Sequence, residues 1–457
     1  MILTQYYLEC LSHASYLVGD EHSGRAVVVD PQRDVGEYLQ DAQAAGLSIE
    51  RVIETHLHAD FLSGHLELAA QTGAVISYGE PADVEFPIER LTDGRRLSLG
   101  DVTLEVRATP GHTPESLSVV VYEHAADAAP SAVLTGDTLF IGGVGRPDLL
   151  SSVGATADEL ARRLYHSLHE KLLTLPDETR VFPAHGAGSA CGKQLSTETQ
   201  STIGQERLTN YALQPMSEDE FVALVTEGQP LAPTYFSFDA RRNREARPVL
   251  DEQHAPPAMS IDDVLAAQRE GAVVLDTREP AEFAAGHLRG AVNVSLLGRF
   301  AEWAGDVLRP DDAIVLVAVP GTELEAKVRL ARIGFDDVVG SLAEPLAVLA
   351  VRPELVERSS RLTATELDER RRQVPGLQLL DVRNPGEIAS GAIPGALPTP
   401  LPRLVEAVAM LHAEIPTVVY CASGTRSMIA SSVLRARGFT DVSDVLGGYE
   451  AWKARAA

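Results

Sequence analysis

Short apolar runs punctuate the first 245 or so residues, at 26–29, 52–54, 102–107, 132–134 and 181–182, and each ends at or just before a cluster of His, Asp, Gly or Pro. Short β-branched runs bounded by such residues read as strands. Strand ends on a rigid sheet are where functional side chains are mounted. Beyond residue 260 the pattern changes: β-branched runs at 272–275, 314–317, 377–380 and 417–420 alternate with amphipathic stretches such as 261–270 and 364–373. That alternation predicts α/β units with mainly parallel sheets.

The second half also repeats itself. Leu275-Asp276-Thr277-Arg278-Glu279-Pro280, with Gly286-His287 and Gly290-Ala291 behind it, matches Leu380-Asp381-Val382-Arg383-Asn384-Pro385, with Gly391-Ala392 and Gly395-Ala396. Asp276 and Asp381 lie 105 residues apart, and the Gly-Phe pairs at 334 and 438 lie 104 apart. A period this long exceeds the roughly 20–50 residues of stacked repeats and indicates two copies of one domain. Three domains are expected, 1–246, 259–350 and 362–457, joined by the proline-bearing segment 247–259 and by 352–361. This fits a chain of 457 residues at roughly 150 per domain.

Composition narrows the partners. With 39 Lys+Arg against 65 Asp+Glu the net charge is −26, which argues against nucleic acid. No run approaches the ~18 apolar residues of a spanning helix, and the first twenty residues lack a basic segment ahead of an apolar core. A cytoplasmic, homo-oligomeric protein without membrane partners is the expectation. Three cysteines, Cys10, Cys191 and Cys421, are too few for a disulfide framework and suit a reducing compartment. Cys10, among apolar neighbours, reads as a packing residue.

Four clusters stand at predicted strand ends: Thr55-His56-Leu57-His58-Ala59-Asp60, the TPGHTPES run at 109–116 containing His112, Leu134-Thr135-Gly136-Asp137-Thr138, and Phe182-Pro183-Ala184-His185-Gly186. A single histidine is most often structural; four clusters in this order point to a metal centre. Their order and motifs resemble the metallo-β-lactamase superfamily over about residues 1–245, which implies an αββα sandwich. Hydrolases of that superfamily, such as glyoxalase II, carry HxHxDH and two metal ions, whereas Phe61 stands here at the last position. The closer match is the persulfide dioxygenase branch. That resemblance implies one Fe(II) per chain, held by His56, His112 and Asp137, with His58, Asp60 and His185 as supporting groups. Two imidazoles and one carboxylate form the facial triad that suits non-haem iron and leaves three positions for substrate and O₂. Residues 142–148 resemble the branch's GRxD stretch, where Arg146 either holds an anion or simply pairs with Asp148. The glycine-rich run 185–192 resembles the corresponding loop of rhodanese-fused dioxygenases. There Cys191 either lines the substrate entrance, or carries sulfur, or is a passive surface or core thiol.

Near the C-terminus the run 417–420 leads into Cys421-Ala422-Ser423-Gly424-Thr425-Arg426-Ser427. A strand entering a glycine-containing loop that opens a helix makes an anion nest and favours a thiolate. Four residues separate Cys421 from Arg426, against five in phosphatase loops, so the smaller ring suits one sulfur. Together with the 381–383 and 391–396 motifs and Gly447-Gly448-Tyr449, residues 362–457 resemble a rhodanese domain. This implies Cys421 as nucleophile, with Ala422, Ser423, Gly424, Thr425 and Arg426 binding the transferred group. The middle copy has Ala318 in place of the cysteine and Glu323 in place of the arginine, so it reads as an inactive rhodanese with a packing or interface role.

The fold class expected is therefore α/β: a metallo-β-lactamase sandwich followed by two rhodanese-like domains. The arrangement resembles multidomain persulfide dioxygenase–sulfurtransferases. It implies oxidation of a low-molecular-weight thiol persulfide, carried by glutathione, coenzyme A or a similar thiol, by O₂ to sulfite and thiol. Cys421 would then pass a sulfane sulfur to sulfite, giving thiosulfate. Two alternatives stand beside it: a glyoxalase II-like thioester hydrolase with two zinc ions, and a sulfur carrier without oxygenase activity.

Overall fold

The computed structural model describes residues 1–149 and 155–456. The chain forms two compact units, one of residues 1–232 and 236–250, the other of 233–235 and 251–457.

The first unit is built on two six-stranded sheets. One runs in sequence order from Ile2–Leu8 through His13–Asp20, Arg25–Val29, Ser48–Ile53 and Val75–Gly79 to Glu89–Leu91. The other carries Ala132–Gly136 at its centre, parallel to Arg180–Pro183 on one side and antiparallel to Leu117–Tyr122 on the other. The strand period of two sorts the side chains between layers. Leu117, Val119 and Val121 face the core between the sheets, while Val120 and Tyr122 face helices outside. In the same way Val27 and Val29 point inward, and Ala26 and Val28 pack under the helices Gly36–Ala44 and His65–Thr72 through Tyr38, Ala42 and Leu68. Both faces are thus covered, which explains why these strands read as continuous apolar runs rather than alternating ones. At ~1.5–3 kcal/mol for each fully buried Val or Leu, the sandwich core and its two outer layers dominate the unit's stability. The result is the expected αββα sandwich.

Segment 247–259, read as a linker, begins as part of this unit: the Arg247 guanidinium bonds Glu67 at 2.6 Å, and the Leu250 N–H donates to Glu67 at 3.1 Å. In contrast Pro233–Tyr235 belongs to the second unit, where the Thr234 hydroxyl donates to the Gly305 carbonyl at 3.0 Å.

The second unit contains two five-stranded, all-parallel sheets, one per copy, with Val273–Asp276 and Ile314–Val317 central in the first and Gln378–Asp381 and Thr417–Tyr420 central in the second. The repeated Asp-x-Arg motif is a clamp. In each copy the arginine pairs with the aspartate two residues earlier and donates to a glycine carbonyl eight residues on, Arg278 to Gly286 at 3.0 Å and Arg383 to Gly391 at 2.8 Å. The copies form one body because they share a core: Met428, on the helix Thr425–Ala436, joins the apolar cluster of the first copy, and Ser432 Oγ accepts from the Asn293 N–H at 2.9 Å. No helix among the described residues is long and apolar enough to cross a membrane.

Candidate functional site

Four strands of the sandwich, Ser48–Ile53, Thr103–Ala108, Ala132–Gly136 and Arg180–Pro183, deliver His56, His112, Asp137 and His185 from their C-terminal ends. The first three converge. His112 Nε2 lies 3.4 Å and His56 Nε2 3.8 Å from Asp137 Oδ2, and all three side chains are almost completely buried. Their other atoms are fixed. His112 Nδ1 donates to the Arg146 carbonyl at 2.8 Å, and His56 Nδ1 donates to Thr55 Oγ1 at 3.0 Å, whose hydroxyl donates in turn to Asp30 Oδ2 at 2.8 Å. Those bonds leave the Nε2 lone pairs aimed at the common point. Burial, followed by the neighbouring imidazoles, pushes His56 well below the usual histidine range, so it stands as a neutral ligand. His56 Nε2 and Asp137 Oδ2 have no hydrogen-bond partner among the described residues. Two buried orphaned acceptors and a third donor within 4.8 Å of one another fit a divalent cation.

Glycine is required at 136. Its φ is +52°, and a Cβ there would stand 2.6 Å from Thr55 Oγ1, the atom that orients His56. Changing Thr55 to valine keeps the volume and removes the relay. The expected result is ~10–100-fold weaker metal affinity, measured by chelator competition, with a stability loss of about 1–3 kcal/mol from the stranded Asp30 oxygen.

His185 is not brought into this ligand set. Its Nδ1 donates to Asp137 Oδ1 at 2.7 Å, and its Nε2 lies 2.7 Å from Asp60 Oδ2. Burial disfavours its charge, but Asp137 and Asp60 overcome that and lift it well above the ordinary range. His185 thus bridges the two carboxylates, and Phe61, fully buried, lies with its ring centroid 4.4 Å from that of His58. His58 is also protonated: burial opposes it, but Asp30 at 3.1 Å and Glu54 at 3.4 Å raise it to about 10. The loop 56–61 is laced from far along the chain by Asn243, whose amide donates to the carbonyls of His58 at 2.9 Å and Phe61 at 2.7 Å.

Arg146 is not available to an anion. Its guanidinium pairs through two bonds with Asp148, at 2.7 and 2.6 Å, and reaches the carbonyls of Ala190 and Pro230, so the ion-pair alternative is what the structure contains. Its carbonyl, rather than its charge, serves the site by orienting His112. Cys191 is buried, with its sulfur within 4.8 Å of donor atoms of Asp60 and His185. Burial, with Asp60 and Asp137 adding to it, pushes this thiol well up, so it stays protonated. Cys10 is buried at 8 % exposure.

In the second unit, Cys421 follows the strand Thr417–Tyr420, and its sulfur accepts the Gly424 N–H at 3.1 Å. Ser427 Oγ lies 3.7 Å from it on the first turn of the helix Thr425–Ala436. The Gly-Gly-Tyr motif sets the loop's polarity: the N–H groups of Tyr449 and Glu450 donate to the carbonyls of Cys421 and Ala422, at 2.7 and 3.2 Å, turning those carbonyls away from the nest. Arg426 is held through two 2.7 Å bonds by Glu387. Gly448 has φ +57°, and a Cβ there would stand 2.3 Å from the Cys421 carbonyl. Gly448→Ala is expected to cost about 1–3 kcal/mol and to slow persulfide formation at Cys421 at least about tenfold, followed by mass spectrometry.

In the first copy Ala318, at the position of Cys421, is buried, and Glu323 Oε2 accepts the Gly321 N–H at 2.8 Å.

Sequence reasoning passed over three groups near the metal point: Asp30, Asn243 and His13. Asp30 closes an apolar strand run, a signal that was legible. Asn243 lies 187 residues beyond His56 and left none. His13, at the start of a strand, is 1 % exposed, with its ring centroid 4.0 Å from that of Phe61.

Comparisons with known proteins agree with this division. The metallo-beta-lactamase superfamily model matches residues 8–185, and the rhodanese-like domain model matches 260–344 and 363–455. The chain is 34% identical over 231 residues to the mitochondrial persulfide dioxygenase ETHE1 of Homo sapiens, covering 49% of this chain and 80% of that protein. It is 33% identical over 260 residues to a hydroxyacylglutathione hydrolase of Maricaulis maris, covering 56% of this chain and 90% of the hydrolase. Among solved structures, a metallo-beta-lactamase from Staphylococcus aureus subsp. aureus COL aligns with 74% of this chain and 98% of its own, at 32% identity and a TM-score of 0.67.

Proposed function

This chain belongs to the metallo-beta-lactamase superfamily, with persulfide dioxygenase homologues over its first half and two rhodanese-like domains behind them, and from that premise we propose a two-step sulfur enzyme. Residues 1–246 oxidise a low-molecular-weight thiol persulfide, such as that of glutathione or coenzyme A, with O₂ to sulfite and thiol. Residues 362–457 transfer a sulfane sulfur to sulfite, giving thiosulfate. Residues 259–350 are the catalytically silent copy that packs on the helix behind Cys421. A reducing compartment, the cytoplasm, suits the three free thiols.

The observation that carries the oxidative reading over the hydrolytic one is Phe61, whose fully buried ring stands where hydrolases of the superfamily carry the last histidine of HxHxDH. An apolar ring there offers no lone pair to a second ion, which favours a single-metal centre. One Fe(II) held by His56, His112 and Asp137 supplies the capacity to bind a persulfide sulfur and O₂ together. The protein's own contribution is positional. Thr55 and the Arg146 carbonyl fix the two imidazoles, and His185 holds Asp137 from its other oxygen. In the second step the Cys421 sulfur attacks the outer sulfur of a persulfide and releases thiolate, and the loop N–H groups stabilise the sulfur it carries.

Purified protein loaded anaerobically is expected to hold about one iron per chain and to consume O₂ when glutathione persulfide is added. Two zinc ions per chain with thioester cleavage would establish the hydrolase instead. An absence of O₂ uptake would leave a sulfur carrier.

A further inference from the structure

Sulfite has three oxygen atoms and O₂ supplies two, so the oxidative reading consumes a water: RSSH + O₂ + H₂O → RSH + SO₃²⁻ + 2H⁺. We propose that His13 and Asp60 hold that water and deliver it to the oxidised sulfur. The inference rests on the dioxygenase reading and deepens it.

His13 stands apart from its neighbours. Each other imidazole at this centre has an oxygen partner: His56 has Thr55, His112 the Arg146 carbonyl, His185 two carboxylates, and His58 Asp30 and Glu54. Neither nitrogen of His13 has a hydrogen-bond partner among the described residues, and the same holds for Asp60 Oδ1. Leaving a buried polar group unmatched costs about 1–3 kcal/mol, and native proteins meet such groups with a bound water that has two to four polar partners. Burial and the nearby His185 and His58 push His13 well below the usual range. A neutral imidazole offers one donor and one acceptor, and Asp60 offers a second acceptor.

The two groups flank one imidazole. Asp60 uses its other oxygen on His185, whose ring centroid lies 5.6 Å from that of His13. The Phe61 ring lies against His13, with centroids 4.0 Å apart, and offers it no hydrogen-bond partner.

The position of His13 is over-determined. Ser12 adopts φ +53°, a left-handed conformation unusual for serine, and its hydroxyl donates to the Ala187 carbonyl at 2.9 Å. The Gly186 N–H donates to the Ser12 carbonyl at 3.0 Å, and the Ala14 N–H donates to the Ala184 carbonyl at 2.7 Å. The backbone on both sides of His13 is therefore fastened to the segment that carries His185.

The step balances. Transfer of both oxygen atoms of O₂ to the terminal sulfur of RSSH gives R–S–SO₂⁻ and a proton. The water oxygen then bonds to that sulfur as the S–S bond breaks, and its electron pair leaves with the thiolate. One water proton passes through the His13–Asp60 pair to that thiolate, giving RSH and HSO₃⁻.

The test is a single turnover of the full, iron-loaded chain with limiting glutathione persulfide, recording O₂ uptake alongside sulfite plus thiosulfate. In His13→Leu, O₂ uptake is expected within about threefold of wild type, while sulfur-oxyanion release slows about a hundredfold, the lower range for a positioned proton-transfer group. Acid quench should then trap R–S–SO₂⁻, seen by mass spectrometry. His13→Gln, which keeps a donor and an acceptor, should restore release to within about tenfold. Iron content and Tm are measured for each variant, and His13→Phe replaces the leucine variant should the latter lose iron. Uptake and release that fall together, or that both stay unchanged in variants with normal iron and Tm, overturn the assignment. Wild-type protein that takes up no O₂ overturns the dioxygenase reading and this one with it.

Discussion

Cys421→Ser is expected to keep consuming O₂ at the wild-type rate while its product changes from thiosulfate to sulfite. The variant loses the only nucleophile in the loop, and a serine hydroxyl at neutral pH is far weaker than a thiolate as acceptor and carrier of sulfane sulfur. Thiosulfate formation should fall on the order of 10³-fold or more, since loss of a covalent nucleophile is among the costliest single changes in an enzyme. Stability should change little. The replaced sulfur accepts one N–H, from Gly424, and the serine oxygen can accept the same bond. Sulfite and thiosulfate resolved chromatographically during persulfide turnover provide the check. Thiosulfate production at the wild-type rate would show that sulfite captures sulfur without this loop.

Asp137→Asn is expected to abolish the oxygen step and leave the transfer loop intact. The carboxylate does two jobs: Oδ2 faces the imidazoles of His56 and His112, and Oδ1 accepts from His185 at 2.7 Å. The amide removes the only anionic donor of the triad and leaves the His185 imidazolium with Asp60 alone. Bound iron should drop below about a tenth per chain, and O₂ uptake should fall on the order of 10³-fold. This exceeds the ~10–100-fold expected for a supporting group such as Thr55. Iron assay, oxygen electrode and persulfide formation at Cys421 together test this. A variant that retains iron and turnover would remove Asp137 from the ligand set.

Much of this was legible because the chemistry is carried by local motifs. His56, His112, Asp137 and His185 stand at ends of apolar runs, and the strands place them together. The loop 421–427 states its own geometry through the spacing of Cys421, Gly424 and Arg426. Ala318 and Glu323 mark the silent copy by alignment with its twin. Where the reading fell short, the missing quantity was a partner. Arg146 looked open to an anion until Asp148 and two carbonyls accounted for its guanidinium. Arg426 likewise sits on Glu387. The helix Thr425–Ala436 of the second copy places Met428 in the core of the first, a contact that no repeat motif announces.

The sequence by itself determined the layer architecture and the residue types at each site, because strand periodicity and strand-end motifs depend on spacing of a few residues. Only the tertiary structure decided which charges are free and which are spent, because ion pairs and buried hydrogen bonds join residues far apart in the chain. Asp30 reaches Thr55, Asn243 reaches Phe61, and His13 comes beside His185 only after the sandwich closes. The bonds that orient the metal-facing side chains are therefore a property of the fold rather than of the motif that contains His56.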